Sequence, residues 1–130
     1  MASEAELART MQCHCLAARS EARRITRLYE KHLRPYGLRA TQFTVLAALS
    51  ILGPTPIKEL AALLGLERTT LTRSSVLLER DGYIRVAPSE DGRRRPLDLT
   101  PAGRRKLDEA YPAWKHVQDR IDRERAGVQS

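Results

Sequence analysis

The stretch from Thr55 to Thr100 most restricts what this chain can fold into. It joins two short helical patterns, a short alternating run, a charged glycine-containing loop and a second alternating run. The first pattern places Thr55 at a helix cap and Pro56 at the first helical position, where a missing N–H costs nothing. Ile57, Leu60, Ala61 and Leu64 recur at helical spacing, and Gly65 marks the stop. After the link Gly65-Leu66-Glu67 a second helix opens, with Leu71 and Leu78 on one stripe and Arg68, Thr69, Thr70, Thr72 and Arg73 in its first turns. Gly82 closes that helix. Tyr83 to Ala87 alternates as a strand with Ile84 and Val86 inward, Asp91-Gly92 signals a hairpin turn, and Leu97 and Leu99 give the returning strand its apolar face. The reading is a winged helix-turn-helix, mainly α with a small β wing. A two-stranded ribbon this short is marginal alone and must lean on the helices.

Long helices are expected on both flanks. Over 4–36, Met11, Cys15, Ala18, Ala22, Ile25, Tyr29 and His32 recur at alternating spacings of four and three, with Ser3 as cap and Arg34-Pro35 and Gly37 as stop. Thr41 is placed to cap a core helix carrying Phe43, Leu46, Ala47 and Ser50, ended by Gly53-Pro54. Thr100-Pro101 repeats the Thr55-Pro56 arrangement and opens a last helix over 101–125, where Leu107, Ala110 or Tyr111, Trp114, Val117 or Gln118, and Ile121 keep heptad spacing and Pro112 predicts a kink. Two seamed helices at the ends of so small a chain predict a homodimer, with 55–100 as the DNA-binding lobe of one domain spanning 1–130.

Charge narrows the partner. The formal net charge is +7 and the sequence pI near 10.0, which points to polyanions. Aromatics make up only 5%, too few for a stacking platform that reads single strands. Short hydroxyls and arginines at the front of the second helix are what a helix needs to meet base edges and phosphates in a major groove. Thr69, Thr70 and Arg73 are therefore expected at base edges and Arg68 and Thr72 nearer phosphates. Arg93, Arg94 and Arg95 belong to the adjacent minor groove or backbone. No apolar run approaches the ~18 residues needed to span a bilayer, and Met1–Thr10 lacks a basic segment followed by an apolar core, so no membrane partner and a cytoplasmic location are expected.

At these residues the chain resembles MarR-type transcriptional regulators. Glu59-Leu60-Ala61, Leu64-Gly65-Leu66 and Thr69-Thr70-Leu71-Thr72-Arg73 match that family's helix-turn-helix, and Asp91-Gly92-Arg93 with Leu97-Asp98-Leu99-Thr100 matches its wing. The resemblance implies a dimeric regulator, usually a repressor, on an inverted-repeat operator in double-stranded DNA, released by a small-molecule effector bound between dimer helices and DNA-binding lobes. It also implies an ion pair in which Asp91 holds Arg93 across the wing. Ser75 stands where the family commonly has an apolar residue, with Val76 and Leu77 expected to compensate. Family members commonly run on into a further C-terminal helix that has no counterpart within these 130 residues.

Catalysis finds little support, and neither a cofactor nor a metal is expected. His14, His32 and His116 lie in helical segments without a nucleophile or a carboxylate pair. Cys13-His14-Cys15 is no chelate on a helix, since neighbours point about 100° apart. Two alternatives to ligand release remain. Cys15 resembles the reactive cysteine of the organic-peroxide-sensing branch, with Tyr29 where that branch has a tyrosine near the sulfur and Arg19, one turn on, as candidate partner for its thiolate. On one helix Cys15 and Tyr29 would stand about 21 Å apart and meet only across a dimer. From another class, the winged fold would serve as a protein-interaction scaffold, against which the basic wing argues.

Overall fold

The computed structural model describes residues 1–89 and 95–129. In chain order the elements are α1 (Glu4–Ala8), α2 (His14–Leu33), α3 (Ala40–Leu52), β1 (Thr55–Pro56), α4 (Ile57–Leu64), α5 (Arg68–Arg80), β2 (Ile84–Val86), β3 (Pro96–Leu99) and α6 (Pro101–Gln129). The architecture is a winged helix-turn-helix, mainly α with a small antiparallel sheet.

The N-terminal helix expected over 4–36 is not continuous. Ser3 caps α1, its hydroxyl accepting from the Glu6 N–H while the Glu6 carboxylate accepts from the Ser3 N–H. A 3-10 turn follows, Cys13 is extended at φ −60°, ψ 127°, and α2 starts afresh at His14. A second 3-10 turn, Arg34–Tyr36, ends on Gly37 at φ 73°, a left-handed conformation suited to glycine. Nor does Thr41 cap α3. Arg39 holds that position, and the buried Gln42 side chain accepts from its N–H at 2.8 Å.

α3 is apolar nearly all round because most of its length is enclosed, only Thr44 and the C-terminal Ile51 and Leu52 being exposed. Phe43, Val45, Leu46 and Leu49 are buried, and the helix packs against α2, α5, α6 and β3. Leu60 and Ala61 of α4 and Leu71 and Leu78 of α5 close the same core from below, on the stripes their spacing predicts.

The sheet has three strands, not two, in the order β1-β3-β2. Thr55 is not a helix cap. It pairs with Leu97, and Pro56 pairs with Pro96, so β1 flanks β3 opposite β2. Proline is tolerated there because β1 is an edge strand that needs no donor on its open side. The Thr55 hydroxyl donates instead to the Gly53 carbonyl at 2.9 Å. In β2, Ile84 is inward as expected, but Val86 is exposed and the next buried side chain is Ala87, whose N–H donates to the Pro96 carbonyl at 2.7 Å. Arg85 and Asp98, facing register partners, form an ion pair at 3.7 Å across the ribbon.

Thr100 does cap α6. Its hydroxyl accepts from the Gly103 N–H at 3.0 Å and donates to the Gly82 carbonyl, pinning the exit of α5 to the entry of α6. Gly103 is buried against β2 and β3, where a Cβ would overlap the Tyr83 carbonyl oxygen and lie 2.8 Å from Leu99 Cδ1. α6 runs through Pro112 and on to Gln129, past the end expected near Arg125.

The two seams meet inside one chain. Leu107, Ala110, Val117 and Ile121 are buried without a second subunit, with α6 antiparallel to α2: Arg24 meets Glu124 at 3.4 Å, and His32 faces His116 with ring centroids 5.2 Å apart. Only the lower half of the α2 stripe, Ile25, Tyr29 and His32, is covered in this way. Met11, Cys15, Ala18 and Ala22 are exposed, together with Leu7 and Leu16.

Candidate nucleic-acid interface

Leu71, Ser75 and Leu78 root α5 in the core. Ser75 is buried without strain on its polar atom, since its hydroxyl donates to the Leu71 carbonyl at 2.8 Å. The compensation expected from Val76 and Leu77 does not occur, as both stay exposed. At 100° per residue, Thr69, Arg73, Val76 and Arg80 fall on the side opposite the buried stripe. Thr72 is exposed, but its hydroxyl donates to the Arg68 carbonyl at 2.8 Å, so its proton is already used. Thr69 and Thr70 keep unengaged hydroxyls, and Arg68 and Arg73 make no ion pair among the described residues. That gives short donors and two free guanidiniums at the exposed front of a rigidly seated helix, the chemistry of base-edge and phosphate contacts.

Of the wing residues, Arg95 is exposed immediately before β3. Asp91, Arg93 and Arg94 lie outside the described residues, and with them the ion pair expected between Asp91 and Arg93.

A cavity of about 240 Å³, lined by Tyr29, Leu33, Ala40, Thr44 and Trp114, lies where α2, α3 and α6 converge. The Trp114 ring stacks on Phe43 with centroids 5.7 Å apart, and the Tyr29 hydroxyl donates to the Gln118 side-chain oxygen. Burial, reinforced by the charge of Asp122, pushes the Tyr29 phenol above its ordinary value. Sequence reasoning missed this cavity by giving Tyr29 and Trp114 to partner-facing seams. The available signal was scarcity: the chain has one Trp and one Phe, and they stack on each other here.

The candidate redox residues are not assembled within one chain. Cys15, the second residue of α2, is exposed, as are Cys13 and, one turn on, Arg19. Tyr29 faces α6 farther down the same helix.

Comparison with known proteins places these features in a group. The MarR family profile matches residues 36–95, from the turn before α3 to the base of the wing. The chain is 34% identical over 88 residues to YwoH, an uncharacterised HTH-type transcriptional regulator of Bacillus subtilis strain 168, covering 68% of this chain. That match spans 64% of the regulator's own length, less than two thirds. Among solved structures, the transcriptional regulator MosR of M. tuberculosis is 37% identical with a TM-score of 0.74, over 92% of this chain and 95% of that one. A structure of MosR in complex with DNA is 39% identical with the same TM-score, over 89% of this chain and 92% of that one.

Proposed function

Because this chain belongs to the MarR family, we propose that it is a sequence-specific DNA-binding transcriptional regulator, a repressor that holds an inverted-repeat operator as a homodimer and is released by a small molecule. The observation that carries the reading is the front of α5: Thr69, Thr70 and Arg73, unengaged among the described residues, stand on an exposed face whose reverse is locked by Leu71 and Leu78. The net charge of +7 supplies the long-range attraction to a duplex. The homodimer is supported by Leu7, Met11 and Leu16, which are exposed in the single chain and would gain by burial against a second copy. Two-fold symmetry then requires two half-sites in inverted order. The effector reading draws on the cavity between Tyr29 and Trp114, whose apolar rings suit a ring-sized molecule and whose two hydroxyl oxygens, those of Tyr29 and Thr44, with their protons given to Gln118 and to the Ala40 carbonyl, are left to accept from one polar end.

Selection of bound duplexes from random DNA at fixed salt tests this directly. An inverted repeat is the expected product. On the best selected duplex, Arg73→Ala is expected to cost about 1–3 kcal/mol and to relax sequence preference, whereas Arg68→Ala should weaken all duplexes alike. Equal losses on selected and random DNA for Arg73→Ala would show that Arg73 does not read bases. Affinity for duplex that falls steeply with salt separates this reading from a protein-binding scaffold.

A second mode of release is favoured by one observation, the exposure of the Cys15 thiol at the start of α2. In it, oxidation of Cys15 replaces the ligand. Titration with organic hydroperoxide should then release DNA from the wild type and not from Cys15→Ser. Identical release from both would eliminate the thiol route.

A further inference from the structure

Beside the reading face lies a groove of about 610 Å³ whose charged rim comes from three separate elements: Lys58 in the first turn of α4, Arg68 at the start of α5, and Arg95 just before β3. Strand register gathers them. Pro56 is the partner of Pro96, so the residue before β3 is held beside the first turn of α4, while the link Gly65-Leu66-Glu67 turns α5 back toward the same place. All three cations are exposed, and none makes an ion pair among the described residues. One carboxylate, Glu59, shares the lining with them, against the floor formed by Pro56 and Ile57.

With three cations and one carboxylate in its lining, the groove carries an excess of positive charge whose members repel one another. A polyanion removes the repulsion. Arg68 also immediately precedes Thr69, the first residue of the reading face, so a duplex that receives α5 in its major groove has its flanking strand at this groove. The first turns of α4 and α5, whose N–H groups no side chain caps, carry Lys58 and Arg68.

We propose that Lys58, Arg68 and Arg95 form a clamp on the DNA backbone, with Lys58 as a phosphate contact that positions the recognition helix without reading sequence. The inference rests on the DNA-binding reading and extends it to α4. It also assigns Arg95 to the backbone and not to the minor groove.

The test uses the duplex selected by the wild-type full chain. Lys58→Ala is expected to flatten the plot of log affinity against log salt by about one, with a loss of roughly fivefold at physiological salt that is the same on selected and random DNA. Lys58→Arg should restore the slope. A scan of single neutral methylphosphonate linkages should find a position that weakens the wild type and is silent in Lys58→Ala. Because the side chain is exposed, the melting temperature should not move. An unchanged salt slope in Lys58→Ala, or an identical linkage scan for the two proteins, overturns the clamp while leaving DNA binding intact. A wild type without affinity for any duplex overturns the underlying reading instead.

Discussion

Replacing Leu71 by alanine is expected to lower the stability of the fold by about 2–5 kcal/mol, read as a shift of the urea or thermal midpoint. Leu71 is fully buried in the second turn of α5, between the helix and the α3 and α4 packing beneath it. Removing its side chain opens a cavity that α5 cannot close without tilting, and a tilt displaces Thr69 and Arg73 from the proposed reading face. DNA affinity should therefore fall with stability, in contrast to Arg73→Ala, which should alter binding and leave the midpoint in place. Leu71→Met, which nearly conserves volume, should cost under about 1.5 kcal/mol. A wild-type midpoint for Leu71→Ala would mean that α5 is not seated as described.

Gly103→Ala is expected to be nearly as damaging, at about 3 kcal/mol, or roughly 10 °C in melting temperature. Its Cβ would have to occupy the space of the Tyr83 carbonyl oxygen, a backbone atom that cannot rotate away, with Leu99 Cδ1 at 2.8 Å on another side. Relief requires α6 to lift from the sheet, which would also strain the bond from Thr100 to the Gly82 carbonyl. Gly127, on the same helix, is the control. Among the described residues nothing lies within 4 Å of a Cβ built there, so Gly127→Ala should be neutral or stabilise by up to about 1 kcal/mol through helix propensity. If Gly103→Ala melts like the wild type, the close approach of α6 to Tyr83 is wrong.

The helix-turn-helix was legible because its signals are local. The stripe of Leu71 and Leu78, the stop at Gly65 and the hydroxyls at the front of α5 depend only on residues a turn or two apart. Thr55-Pro56 and Thr100-Pro101 show where such signals end. The dipeptides are identical, yet one is an edge strand and the other opens a helix, and what separates them is the neighbour supplied by the fold: β3 lies beside Thr55, while Gly82 and Gly103 offer Thr100 an acceptor and a donor. The seams failed for a related reason. Periodicity identifies which face of α2 or α6 is apolar and is silent on what covers it, so side chains assigned to a partner subunit turned out to enclose Tyr29 and Trp114 within one chain. The break at Cys13 carries neither glycine nor proline, and the apolar spacing passes straight across it.

The third strand changes the mechanics of DNA binding. A wing made of β2 and β3 alone would swing as an outrigger from the end of α5. Here β3 is also bonded to β1, which leads without a gap into α4, and α4 is joined by a three-residue connection to α5. Recognition helix, preceding helix and ribbon base thus form a closed loop of bonded parts with no hinge between them. In the proposed dimer, an effector gains nothing by retracting the base of the wing. It must alter the distance or angle between two whole lobes, and the α2, α3 and α6 junction, where the aromatic cavity lies, is where each lobe meets the rest of its chain.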